Sequence, residues 1–217
     1  MAWFNDLKDK FSKRRIRSLD RTKEYGRDFI DLDSANRIGI IINVDDCDAA
    51  DLKLLEDYIQ ALKGRKKKLV IIEISSDKKG ESRYEGREEI VIFINPTKVN
   101  WLDYPTPAIE SEIQSHEMDI LMDFDRSSRM ASKYVCSMAK AKTRTGMHRE
   151  GLESCYELMI TPSAGLVTSQ VAMKGEAPSY DSEIEALGPN EKPDLKSVIK
   201  EFDYFLNMID NGKRVKA

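Results

Sequence analysis

Apolar residues along this chain alternate between two patterns, continuous β-branched runs and stripes at helical spacing. The first run, Arg37-Ile38-Gly39-Ile40-Ile41-Ile42-Asn43-Val44, predicts a central strand covered on both faces, since a half-exposed strand would interleave polar residues. Leu52, Leu55, Ile59 and Leu62 follow at i, i+3, i+7 and i+10, with Tyr58 on the same face. They predict a helix that stops near Gly64. Buried-type runs return at Leu69 to Ile74 and at Ile90 to Ile94, the latter closed by Asn95-Pro96. Residues 77–89 between them are charged and hold Gly80 and Gly86, which reads as an exposed loop. A short helix is expected over Ala108 to Ser115 and a fourth strand over Asp119 to Phe124. Ser127 and Ser128 offer N-caps to a helix carrying Met130, Tyr134, Val135 and Met138. A short fifth strand covers Thr143 to Thr145 and ends at Gly146, and a sixth covers Tyr156 to Thr161. Turn formers crowd residues 163–193, predicting an excursion with little regular structure. Leu195, Val198, Ile199, Phe202, Phe205, Leu206 and Ile209 then share one face of a closing helix that Gly212 ends.

Strands alternating with helices predict an α/β fold: a doubly wound, mostly parallel sheet of about six strands with helices on both faces. Ahead of it, Trp3/Phe4, Leu7 and Phe11 mark a helix from about Trp3 to Lys23, whose apolar stripe fades into Lys13-Arg14-Arg15-Ile16-Arg17. The expected organisation is a basic helical arm and linker over 1–36, then a single Rossmann-like domain over 37–212 with the excursion at 163–193. A chain of 217 residues suits one well-buried domain.

Charge changes that picture. The net charge of −3 conceals an asymmetry, because residues 1–27 carry nine Lys/Arg against four Asp/Glu. A basic arm on an acidic body either folds back on that body or meets a polyanion or acidic surface. Lys13, Arg14, Arg15, Arg17 and Arg21 are the candidates for contact with a partner protein or RNA. No apolar run approaches the roughly 20 residues that span a bilayer, and no signal-peptide core is present, so a cytoplasmic location is expected. Cys47, Cys136 and Cys155 lack C-x-x-C spacing and predict neither a disulfide framework nor a zinc site; Cys136 is expected to be buried.

Ligands of such sheets bind beyond the carboxyl ends of the strands, where strand order reverses. Strand one runs into Asp45-Asp46 and strand four into Asp123-Phe124-Asp125. If the two strands are neighbours, these four carboxylates meet on one rim and suit magnesium, which would bind a phosphate in turn. The alternative is that the first pair, with Asp48, caps the following helix. Otherwise no cofactor is expected: neither G-x-G-x-x-G nor G-x-x-x-x-G-K-[ST] follows strand one. His116 and His148 have no triad partner at recognisable spacing. Ser127, Ser128, Arg129 and Arg144, near Lys140, Lys142, His148 and Arg149, form a candidate anion site at a helix start.

Short segments in a fixed order carry a resemblance. They are Arg37-Ile38-Gly39-Ile40, Asn100-Trp101, Met118-Asp119-Ile120-Leu121-Met122, Ala139 to Gly146, Glu157-Leu158-Met159-Ile160 and the helix from Ile199 to Leu206. Together they resemble a family of uncharacterised proteins found in the Bacteroidota, which implies no activity or cofactor. The Lys-x-Arg-x-Gly segment is also faintly similar to the N-terminal half of heptosyltransferase-type glycosyltransferases. Those enzymes need a second nucleotide-sugar domain for which this chain has no room. The expected function is a non-enzymatic binding or assembly module whose arm contacts a protein or RNA. A magnesium-dependent phosphate-handling enzyme is the alternative. The enzyme needs both acidic pairs within metal-sharing distance over an open pocket; the binding module needs an exposed arm and a filled rim.

Overall fold

The computed structural model describes residues 2–21, 29–86, 89–127, 129–149, 152–161 and 193–209. Six strands form one sheet: β1 (Arg37–Asn43), β2 (Lys68–Ile74), β3 (Ile90–Ile94), β4 (Glu117–Asp123), β5 (Lys140–Met147) and β6 (Leu158–Ile160). Their order is β3-β2-β1-β4-β5-β6, and every neighbouring pair is parallel. The helices are α1 (Ala2–Arg21), α2 (Ala49–Gly64), α3 (Pro107–Gln114), α4 (Met130–Met138) and α5 (Leu195–Met208).

Parallel strands need crossovers, and the crossovers cover both faces. Ile38, Ile40 and Ile42 of β1 join Leu55, Ile59 and Leu62 of α2 and Val198, Phe202 and Leu206 of α5 in one apolar cluster. On the other face Ile41 of β1 and Val70, Ile72 and Ile74 of β2 meet Ile109 and Ile113 of α3 and Val135 of α4. Ile16 of α1 is buried in this second cluster, so α1 is packed onto the body beside α4. The segment 29–36 is anchored in part: Leu32 and Ala35 lie in the first cluster, and Lys67 Nζ donates to the carbonyls of Asp33 and Ala35, while Phe29 is exposed.

Several local details differ from expectation. α2 ends at Gly64 as expected, but the left-handed position that turns the chain away falls two residues later, on Lys66 at φ 60°. The loop before β3 is anchored and not wholly exposed, because Tyr84 is buried and the buried Glu73 carboxylate accepts from Ser82 Oγ at 2.5 Å and Arg83 N at 3.0 Å. The fifth strand is eight residues long, extends back to Lys140 and holds Gly146 inside it. The sixth is shorter than expected. The excursion over 163–193 falls almost wholly, and the end at Gly212 and residues 22–28 at the junction of arm and linker fall wholly, outside the described residues.

Gly146 has a steric reason. A Cβ placed there would lie 2.3 Å from Cε1 of Tyr156, whose ring closes over the strand. Gly146→Ala is therefore expected to overpack this contact and to destabilise the protein by about 1–3 kcal/mol in urea unfolding. An unchanged midpoint and slope would mean that the Tyr156 ring is not seated there.

Candidate functional site

Strand order reverses between β1 and β4, and the two strands run in parallel from Ile38↔Ile120 to Ile41↔Asp123. Their adjacent carboxyl ends bring Asp45, Asp46, Asp123 and Asp125 toward one rim, the location where such folds bind ligands. Each carboxylate there meets a cation supplied by the chain itself.

Asp123 and Asp125 are brought together, around a lysine. Lys133 of α4 is buried, with its Nζ 2.6 Å from Asp123 Oδ2 and 3.7 Å from Asp125 Oδ2. Tyr156 Oη donates to the same Asp123 oxygen at 2.5 Å, and its ring lies 5.7 Å from the ammonium. Asp125 accepts from Asn43 Nδ2, Ser127 N and Oγ, Arg129 N and Ser132 Oγ. A carboxylate thus stands ahead of α4, held by the Ser127 and Arg129 amides in the loop that leads into the helix and by the Ser132 hydroxyl in its first turn. Ser127 helps hold Asp125 in this place and does not cap the helix itself; the N-cap residue is Arg129. Ser128 lies outside the described residues.

Asp45 and Asp46 turn to other partners. Asp45 Oδ2 accepts from Ser76 N at 2.5 Å and from Arg129 Nη1 at 2.8 Å. Asp46 Oδ2 stands 3.8 Å from Arg126 Nε. The Arg126 guanidinium also binds Asp51 and the carbonyls of Asp46 and Pro193, so it ties the ends of β1 and β4 to the start of α5. Asp48 is the N-cap of α2 and accepts from Asp51 N at 2.8 Å. Arg144, the remaining anion candidate, is buried against Glu157, with Nη2 2.5 Å from Oε1 and Nη1 on the Cys136 carbonyl. Among the described residues, no group of three or more His, Cys, Asp or Glu is arranged to hold a metal ion.

The protonation states follow from the geometry. Burial alone would raise the Asp125 carboxyl, but the Lys133 charge and the Ser127 and Ser132 hydrogen bonds outweigh it and hold the pKa at about 2. Burial opposes the Lys133 charge, yet the Asp123 and Asp125 carboxylates push its pKa up. Burial, followed by the Asp123 charge, pushes the Tyr156 phenol and the Cys136 thiol well up. Asp125 is therefore a carboxylate, Lys133 an ammonium, Tyr156 a phenol and Cys136 a thiol at neutral pH. A general acid or base works best with a pKa near the operating pH, and these four groups lie far from it.

A second concentration of charge lies along α1. Ser12, Ile16 and Leu19 face the body, while Lys10, Arg14, Arg15 and Arg17 are exposed. Lys13 is half-buried, and Arg21 ends the helix with its side chain outside the described residues. Arg14, Arg15, Phe11 and Ser18 form one wall of a groove of about 600 Å³; Asn100, Leu102 and Tyr104 form the other. Lys8 pairs with Asp103 at 2.9 Å, and the Arg15 guanidinium lies 5.3 Å over the Tyr104 ring. The sequence singled out the basic strip of α1, of which Arg14, Arg15 and Arg17 are exposed, but did not mark the wall opposite it.

Lys133, Tyr156 and Arg126 were missed as rim residues. The signal was a single lysine in a nine-residue helix, Met130-Ala131-Ser132-Lys133-Tyr134-Val135-Cys136-Ser137-Met138, that is otherwise apolar or small apart from Tyr134.

Residues 8–170 match the family model DUF6913, described as a family of unknown function. No curated protein and no solved structure matches the chain.

The depressed Asp125 pKa fixes a pH dependence. Its contribution is present above the unfolded value near 3.8 and is lost as pH falls through about 2. Urea unfolding between pH 4 and 2 is expected to show about 2 kcal/mol of acid loss from this group, which Asp125→Asn removes from the slope. Parallel slopes for the two proteins would contradict the assigned pairing.

Proposed function

The chain belongs to the family DUF6913, a family of unknown function, and we propose that it is a binding module that presents the basic side of α1 to a polyanionic partner. The observation that carries this reading is the fixed placement of the strip. Ser12 and Ile16 are buried, which turns Lys10, Arg14 and Arg17 outward on a helix anchored to the body. The charge is local, since the whole chain is net −3, so attraction to a polyanion must come from a patch and not from the protein at large. The rim supports the same reading. Its carboxylates are neutralised by Lys133, Arg126 and Arg129, and Asp125 takes up the Ser127 and Arg129 amides ahead of α4. No described helix is long and apolar enough to cross a membrane.

Retention on heparin resin tests the proposal. The wild-type protein is expected to bind at about 0.15 M salt and to elute only above it. The combined variant Lys10→Glu, Arg14→Glu, Arg17→Glu should pass through with an unchanged melting temperature. A control variant, Lys66→Glu with Lys68→Glu, alters another exposed basic segment and should elute like the wild type. Loss of retention in the control with retention kept in the α1 variant would overturn the proposal.

A further inference from the structure

We infer that the polyanion is a single-stranded nucleic acid, with phosphates on Arg14 and Arg17 and bases stacked on Trp101 and Phe11. This rests on the polyanion reading of α1. What it adds comes from Phe11, which lines the groove, and from Trp101, which stands in the turn between the groove residues Asn100 and Leu102. Trp101 is 60% exposed and Phe11 49% exposed, among the most solvated large apolar side chains described. Charge alone would satisfy an acidic protein surface; exposed rings beside arginines provide, in addition, faces for planar bases.

The rings stand on preorganised supports. Trp101 lies at the tip of a turn closed by the Val99↔Pro105 bridge. Inside the turn Asn100 Oδ1 accepts from Leu102 N at 2.8 Å and Tyr104 N at 3.2 Å. Asp103 holds φ 61° and is tied to α1 by Lys8. The turn and the helix therefore keep their spacing, and little ordering is required when a strand enters between them. The wall of α1 from Phe11 to Ser18 is about 10 Å long, which fits two or three nucleotides.

A duplex fits poorly. A helix enters a B-form major groove only if its flanks are clear. One side of α1 is buried on α4 and the other faces the 98–106 turn, so neither flank is open. Unpaired bases reach the rings; stacked, paired ones do not.

Fluorescence anisotropy with labelled U12 and dT12 tests the inference, with a self-complementary duplex and a polyglutamate peptide as comparison probes. Binding to both single strands is expected in about the micromolar range at low salt. Arg14→Ala with Arg17→Ala should lower the salt dependence of log K by about 1.4, at about 0.7 for each lost phosphate contact. Trp101→Ala should weaken binding about five- to a hundredfold and leave the salt dependence unchanged, as expected when stacking is lost and charge is not. In a Trp3→Phe background, the Trp101 emission should be quenched as U12 is added. Tighter binding of the duplex, or no effect of Trp101→Ala, would overturn the inference. If heparin retains the protein through α1 but U12 and dT12 do not bind, the nucleic-acid inference fails while the polyanion reading stands, and binding of polyglutamate would then point to an acidic protein partner. If heparin is not retained either, both readings fail.

Discussion

The ammonium of Lys133, enclosed between Asp123 and Asp125, is the interaction on which the rest of the layout depends. Three charged groups taken out of water are tolerated only when each is paired and its remaining hydrogen-bonding capacity is met. Here Tyr156, Asn43, Ser127 and Ser132 complete the set. These partners come from β1, from the loop after β4, from α4 and from the entry to β6. The cluster therefore fixes the seat of α4 and the closure of the β5–β6 edge together. Gly146 is small because the Tyr156 ring must pass over it to reach Asp123.

That cluster also fills part of the rim. In a sheet of order 3-2-1-4-5-6 the crevice between the first and fourth strands is the usual ligand position. In this chain the crevice carries Arg126, bound to Asp46 and Asp51 and reaching the start of α5, while Asp125 takes the Ser127 and Arg129 amides that lead into α4. Exposed positive charge lies instead on the flank. There α1 is docked by Ile16 and presents arginines beside an aromatic turn. The family match begins at residue 8 and so includes both the buried and the exposed sides of this helix from Lys8 onward.

The strands that read most plainly in the sequence were those whose burial is apolar, β1, β2 and β3, because continuous isoleucine and valine leave little alternative. The fifth strand was recognised only in part. Lys140-Ala141-Lys142-Thr143-Arg144-Thr145 reads as polar surface, yet Thr143, Arg144 and Thr145 are buried, and Arg144 is neutralised by Glu157. The acidic pairs were legible as a rim, and the adjacency of β1 and β4 that gathers them is found. Their partners were not, because Arg126 and Arg129 follow in a loop and Lys133 sits on a helix face, where a lysine ordinarily signals solvent. Likewise α1 showed its basic charge, while the burial of Ser12 and Ile16 depended on a partner helix more than a hundred residues away.

Urea unfolding of Lys133→Met, alone and combined with Asp123→Asn, tests the central claim most directly. Removing only the ammonium leaves buried carboxylates without a counter-charge, and a loss of about 3–5 kcal/mol is expected. The double variant should regain a substantial part of that loss, since one stranded charge is gone and the pair is coupled. A Lys133→Met protein as stable as the wild type would contradict the account, as would losses that simply add in the double variant.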